Sequence, residues 1–93
     1  LGPDNIRVNG VVPGNVNGER MERVIHAHAD SAGLDPEVVR RMYAIGTSMQ
    51  CYVDAEEIAD MICFLSSDYG RHVSGQIIAV DGNTATLYPR SLV

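Results

Sequence analysis

Two short apolar runs, Ile6–Val12 near one end and Gln76–Val80 near the other, constrain this chain more than anything else in it. The first, IRVNGVV, places β-branched Ile6, Val8, Val11 and Val12 ahead of Pro13-Gly14, and the second, QIIAV, runs into Asp81-Gly82. Runs of this length, bounded by turn residues, read as strands. Their near-continuous apolar character suits parallel strands covered on both faces. Parallel neighbours need a long crossover, and the intervening sequence supplies it as helix. The expected unit is strand, helical stretch, helix, strand, joined right-handedly.

The helical pattern can be placed residue by residue. Ahead of the first strand, Leu1–Asn5 holds Gly-Pro-Asp-Asn, a turn cluster. From Glu19 to Ala29, Met21, Val24, Ile25 and His28 fall at i, i+3, i+4, i+7. Gly33 interrupts that helix, and Asp35-Pro36 restarts one, with aspartate as N-cap and proline in the first turn. Val38, Val39, Met42 and Tyr43 form its apolar face, and Gly46 is the expected stop. Residues 47–53 read as loop. Asp54 then caps a third helix, Glu57 completes a capping box, and Ile58, Met61, Ile62 and Leu65 share one face, with Gly70 as the stop. Residues 84–93 form a tail with Leu87, Tyr88 and Pro89.

Composition narrows the function classes. The chain has 93 residues, 45% of them hydrophobic, which allows one small packed core and argues against disorder. A formal net charge of −5 argues against nucleic acid or an anionic membrane as the main partner. No run approaches the roughly 18 apolar residues of a membrane span. All seven basic residues are arginines, so there is no lysine. Cys51 and Cys63 form neither a CxxC nor a metal-ligand series, so reduced thiols in a cytoplasmic protein are expected, with Cys63 in the core. The first residue is Leu1, and the expectation is a mature fragment, a truncated form or a cleaved product.

Two blocks carry a resemblance. Ile6-Arg7-Val8-Asn9 leads to Pro13-Gly14, and Glu56-Glu57-Ile58-Ala59, Phe64-Leu65, Ser67-Asp68, Gly75-Gln76 and Val80-Asp81-Gly82 follow in order about 40 residues later. In this wording and order the chain resembles the C-terminal third of the short-chain dehydrogenase/reductases, over roughly residues 1–30 and 53–85. Asn83 stands where that family usually has a second glycine, a small departure because Asn also tolerates left-handed dihedrals. The implied fold is α/β: the C-terminal part of a Rossmann-type doubly wound parallel sheet, its last two strands with their crossover helices.

The resemblance also implies a division of labour. Residues 13–18 would be a nicotinamide loop, 17–50 a substrate lid, and 54–83 the last helix and strand. The implied cofactor is NAD or NADP, with Pro13, Gly14, Asn15 and Val16 holding only the nicotinamide half. Ligands of open α/β sheets bind beyond the carboxyl ends of the strands, where Pro13-Gly14 lies. Glycine there lets backbone approach a flat ring, and Val16 would offer backbone groups to the carboxamide. The family often adds a threonine hydroxyl two residues after Val16; this chain has Gly18, so that contact is missing or comes from Asn15 or Asn17. Met21, Ile25 and His28 are the substrate-lid candidates, weighed against plain packing. The implied partners are a small carbonyl or alcohol substrate and a second copy of the chain through 54–83, a homotetramer at family level. Tyr88 is a candidate for packing on a neighbouring subunit.

No catalytic residue is expected within the chain. The family's tyrosine is followed four residues later by lysine, whereas Tyr43, Tyr52, Tyr69 and Tyr88 are followed by Thr47, Glu56, Val73 and Leu92. A tyrosine near its ordinary pKa of about 10 is a poor acid–base group at neutral pH. Gly10, Gly14 and Gly18 lack the tight strand-to-helix turn of a phosphate loop. No metal site is expected: His26 and His28, two apart on a helix, diverge. Glu56 and Glu57 read as helix-cap charges rather than a catalytic dyad, and Ser66, Ser67, Asp68 and His72 as a helix end rather than a hydrolase triad. Two other classes stay open: a non-catalytic fragment that folds by pairing with another chain, and a small binding module reusing the fold.

Overall fold

The computed structural model describes residues 1–84. Two parallel strands, β1 (Gly10–Pro13) and β2 (Ile77–Val80), pair in the register Gly10↔Ile77 to Pro13↔Val80. Three helices separate them: α1 (Glu19–Ala32), α2 (Pro36–Ala44) and α3 (Ala55–Ser66). Short 3-10 turns occupy Gly2–Asp4 and Asp68–Gly70. The tail containing Leu87, Tyr88 and Pro89 lies outside the described residues.

Local chemistry explains most boundaries. Gly33 ends α1 in the left-handed conformation at φ 68°, its amide bonded to the Ala29 carbonyl. The Asp35 carboxylate accepts from the Glu37 amide at 2.8 Å and starts α2. Glu57 Oε2 accepts from the Asp54 amide at 2.6 Å, the reciprocal half of the capping box expected at α3. Asn83 is left-handed at φ 65°, a conformation asparagine tolerates, and its amide donates to Asp81 Oδ1 at 2.8 Å.

Four expectations are corrected. The first strand begins at Gly10 rather than Ile6, because its partner offers only four residues and a strand is defined by its ladder. Upstream, one backbone bond remains, the Gly75 amide donating to the Val8 carbonyl at 2.8 Å, and side chains add to it: Asn9 Nδ2 and Arg7 Nη1 donate to the Val73 carbonyl at 2.9 and 3.1 Å, and Asn9 Oδ1 accepts from the Gln76 amide at 3.0 Å. Ser67, not Gly70, ends α3, its hydroxyl donating to the Phe64 carbonyl at 2.7 Å and accepting from the Tyr69 amide at 3.2 Å. Helix α2 ends at Ala44 with Ile45 as its C-cap, ahead of Gly46. Cys63 is exposed rather than buried, because the face of α3 that carries it packs on nothing within the described residues.

The core lies between α1 and α2. Ile25, Ala29 and Val39 form its centre, with Met21, Leu34, Tyr43 and Tyr52 packed around them. Full enclosure of Ile25 and Val39 stabilises by about 1.5–3 kcal/mol each. Polar contacts fix the angle between the two helices. Arg40 Nη1 and Nη2 donate to the two carboxylate oxygens of Glu22 at 2.6 and 2.8 Å, a fork-to-fork pair. Tyr52 donates its hydroxyl to the Arg40 carbonyl at 2.6 Å. By contrast, Val12 and Ile77 on the sheet are exposed, so the two-sided cover expected of these strands does not come from the described residues.

Candidate functional site

Beyond the carboxyl end of β1 the chain turns through Gly14–Gly18 into α1, and each residue of that turn is held by a different contact. The Gly14 amide donates to the Val80 carbonyl at 3.0 Å, extending the ladder one residue past β1. A Cβ on Gly14 would lie 2.7 Å from the Cα of Asp81. Glycine is therefore required by the close passage of the two chain segments at the sheet end, whatever lies above it.

Val16 forms an isolated parallel bridge with Val53. The bridge consists of the Val53 amide donating to the Asn15 carbonyl at 2.9 Å and the Asn17 amide donating to the Val53 carbonyl at 2.8 Å. Successive residues of extended chain point their amides and carbonyls to opposite sides. Because Asn15 and Asn17 face Val53, the N–H and C=O of Val16 face the other way. Neither has a hydrogen-bond partner among the described residues. The Asn17 side chain donates to Asp54 Oδ1 at 2.8 Å and ties the loop to the start of α3.

The loop forms one wall of a groove of about 610 Å³. Pro13, Gly14, Asn15, Val16, Asn17 and Gly18 line it from the loop, Glu19, Arg20, Met21 and Val24 from the start of α1, and Tyr43 from α2. A flat amide-bearing ring fits this donor set: an adjacent N–H and C=O on Val16 complement a carboxamide, which presents an NH₂ and a C=O. Asn15 is half-buried on the same wall, and Asn17 is committed to Asp54.

The residues singled out from sequence thus separate. Pro13, Gly14, Asn15 and Val16 come together on one wall, and Met21 joins them. Ile25 does not: it is 0% exposed in the centre of the helical core, so its role is packing. It lies one residue beyond Val24 on the helix, which turns it from the groove into the α1–α2 contact. His28 lies behind the wall, its Nδ1 3.2 Å from the Tyr43 hydroxyl, with the two rings edge-on at 88°. His26 instead stands 3.8 Å from Glu22, so the two histidines have different partners.

Two contributors were not singled out as site residues from the sequence. Val53 braces the loop through its backbone, and Tyr43 closes the groove from α2. A tyrosine at the apolar position of an amphipathic helix gave a signal for Tyr43; a backbone bridge 37 residues distant gave none for Val53. The loop at 47–53 is itself fastened to the end of β2, with the Ser48 and Met49 amides donating to the Asn83 and Gly82 carbonyls at 2.8 and 3.1 Å.

Burial pushes the Tyr52 phenol up to about 12, which keeps it neutral while it donates to the Arg40 carbonyl. The hydrogen bonds from Arg40 hold the Glu22 carboxyl below its ordinary value. Among the described residues no three His, Cys, Asp or Glu side chains are placed to hold a metal ion, and no helix is long and apolar enough to cross a membrane.

A parallel strand pair with a turn and groove beyond its carboxyl end is an α/β arrangement, and comparison with known proteins identifies the family. The family profile described as Enoyl-(Acyl carrier protein) reductase matches residues 1–83. The cyclohexanol dehydrogenase of Rhodococcus sp. (strain TK6) is 37% identical over 82 residues, which are 88% of this chain and 27% of that protein. A short chain dehydrogenase family protein from Francisella tularensis subsp. tularensis SCHU S4 superposes with a TM-score of 0.81 at 28% identity, over 88% of this chain and 34% of that one. An NAD⁺-bound xylitol dehydrogenase does so at 0.74 and 29% identity, again over 88% of this chain and 34% of that one. The chain belongs to the short-chain dehydrogenase/reductase family and has the fold of its C-terminal part. It spans about a third of the length of the curated relatives it matches.

Proposed function

We propose that this chain is the cofactor-closing and substrate-lid portion of an NAD(P)-dependent oxidoreductase that moves hydride between nicotinamide and a carbonyl or secondary alcohol. The substrate would resemble those of 3-oxoacyl reductases or of sugar and alcohol dehydrogenases. The observation that carries the reading is the outward-facing N–H and C=O of Val16 at the carboxyl end of β1, in the groove lined by Pro13, Gly14 and Asn15. Bound nicotinamide would supply or accept the hydride. The chain's own residues then have separate tasks. Val16 fixes the carboxamide, and so the ring face presented to substrate, while Asn15 adds a polar side chain beside it. Pro13 is the last residue of β1, and after the Gly14 amide bonds the Val80 carbonyl the loop leaves the sheet. Residues 17–50 form the lid, with Met21 and Val24 excluding water from the groove. Val53 and Asp54 brace the loop, and residues 54–83 carry the surface for a second copy of the chain. The protein would work in the cytoplasm, and the proton donor would come from outside residues 1–93.

NADH or NADPH titrated into the purified protein, followed by nicotinamide fluorescence, tests this. Saturable binding weakened at least about tenfold by Val16→Pro, which deletes one donor to the carboxamide, is expected. Absence of binding overturns the reading. The exposed Ile6, Val8, Ile62 and Phe64 around β1 and α3 favour a second reading, a non-catalytic piece that folds against another chain. An intact mass under denaturing conditions separates the two: about 27 kDa is the size of a whole domain of this kind, and 10.1 kDa is this chain alone.

A further inference from the structure

Two tyrosines border the same helical core and are used differently. Tyr52 is closed: its hydroxyl is spent on the Arg40 carbonyl at 2.6 Å. Tyr43 packs on the same cluster but also lines the groove, where it is the one residue contributed by α2 among the described lining. A phenol has one donor and two acceptor positions. His28 Nδ1, at 3.2 Å, takes one of them, and the edge-on contact of the two rings fixes the direction of the hydroxyl. The remaining positions have no partner among the described side chains. The α1 contribution to the wall is mixed: Met21 and Val24 are apolar, and Glu19 and Arg20 are charged. A hydroxyl held in one direction by His28, on a residue that lines the same groove as Val16, is the arrangement of a recognition group.

We infer that Tyr43, positioned by His28, reads a second oxygen on the substrate, so that the lid selects hydroxy- or oxo-substituted carbonyls and alcohols over plain hydrocarbon ones. This rests on the nicotinamide reading of the groove. Tyr43 touches substrate; His28 acts through Tyr43 by holding its hydroxyl and ring plane. A site built around such a hydrogen bond discriminates against the analogue that lacks the partner oxygen, because its own polar group is then left unpaired.

The experiment uses the full protein that carries this chain, with its nicotinamide binding measured first by fluorescence. Reduction of 2-hydroxycyclohexanone and of cyclohexanone is then compared in the parent, Tyr43→Phe and His28→Leu. The expected result is a parent that prefers the hydroxyketone in kcat/KM, with Tyr43→Phe lowering that preference about five- to tenfold, the worth of one hydrogen bond. His28→Leu should lower it less, since the tyrosine remains but is no longer held. A ratio unchanged in both variants, or no reduction of either ketone while cofactor binds, overturns this inference and leaves the nicotinamide reading standing. Failure to bind either cofactor overturns both. Tyr43→Phe keeps the ring and its packing; if it does not accumulate as folded protein, the His28→Leu ratio decides alone.

Discussion

Ile25 on α1 and Ile62 on α3 occupy similar places in two amphipathic helices, yet the first is fully enclosed and the second is 49% exposed. The difference extends to the regions around them. In the α1–α2 lobe the apolar face of each helix finds the other, and Glu22, Arg40, His28, Tyr43 and Tyr52 find polar partners within the lobe. Around the sheet, Ile6, Val8, Val12, Phe64 and Ile77 remain exposed although the backbone is fully formed. A helical hairpin can bury its stripe by folding on itself. A two-stranded sheet has two faces and two edges, and one helix covers too little of them. The α1–α2 lobe encloses its own core; the sheet keeps apolar surface that the described residues do not cover.

Substitutions can break or sharpen that contrast. The largest effect is expected from Ile25→Ala, which should cost about 2–5 kcal/mol in denaturant unfolding by leaving a cavity in a closed core. Ile62→Ala should stay within about 0.5 kcal/mol if α3 is free. A cost for Ile62 approaching that of Ile25 would mean that another surface covers α3 in solution. Gly14→Ala follows, with an expected loss of about 1–3 kcal/mol from overpacking against Asp81, seen in the same unfolding curves. A neutral effect would show that the passage of the two segments at the sheet end is looser than 2.7 Å implies.

Tyr52→Phe should cost about 1 kcal/mol, the net worth of its hydrogen bond. It should also change the alkaline limit. With the folded phenol pushed up to about 12 from 10.0, the unfolded chain loses its proton first, so this contribution is complete below pH 10 and is lost as pH rises through 12. Melting temperatures measured across that window should fall more gently in Tyr52→Phe. The smallest effect belongs to Glu22. Its carboxyl is lowered in the folded state by Arg40, so the bridge stabilises above the ordinary carboxylate range and is lost as pH falls below it. Glu22→Gln should flatten the acid side of the stability profile, by a margin that added salt reduces.

Legibility followed the range of the interactions involved. The helix starts at Asp35 and Asp54 and the stop at Gly33 were readable because a cap is settled within four residues. The extent of the first strand was not, because Ile6 and Val8 have strand-forming side chains but the paired ladder starts only at Gly10, with a single bond from the Gly75 amide to the Val8 carbonyl before it. Gly14 was readable as a special position, though for a different reason: the sequence suggested approach to a ligand, and the structure adds the passage of Asp81. Ile25 and Met21 share one helical stripe, and periodicity alone cannot divide that stripe between core and groove.

The residues themselves determined the family, the parallel strand pair, the three helices and the absence of a lysine-paired tyrosine, since each depends on identity and short spacing. Only the tertiary structure decided that Val16 turns its amide and carbonyl outward, that Val53 holds it there, and that Tyr43 rather than Ile25 completes the wall. Those facts arise from contacts between segments far apart in the chain. Their geometry is set by how α1 packs on α2 and how the loop at 47–53 is fastened to the end of β2.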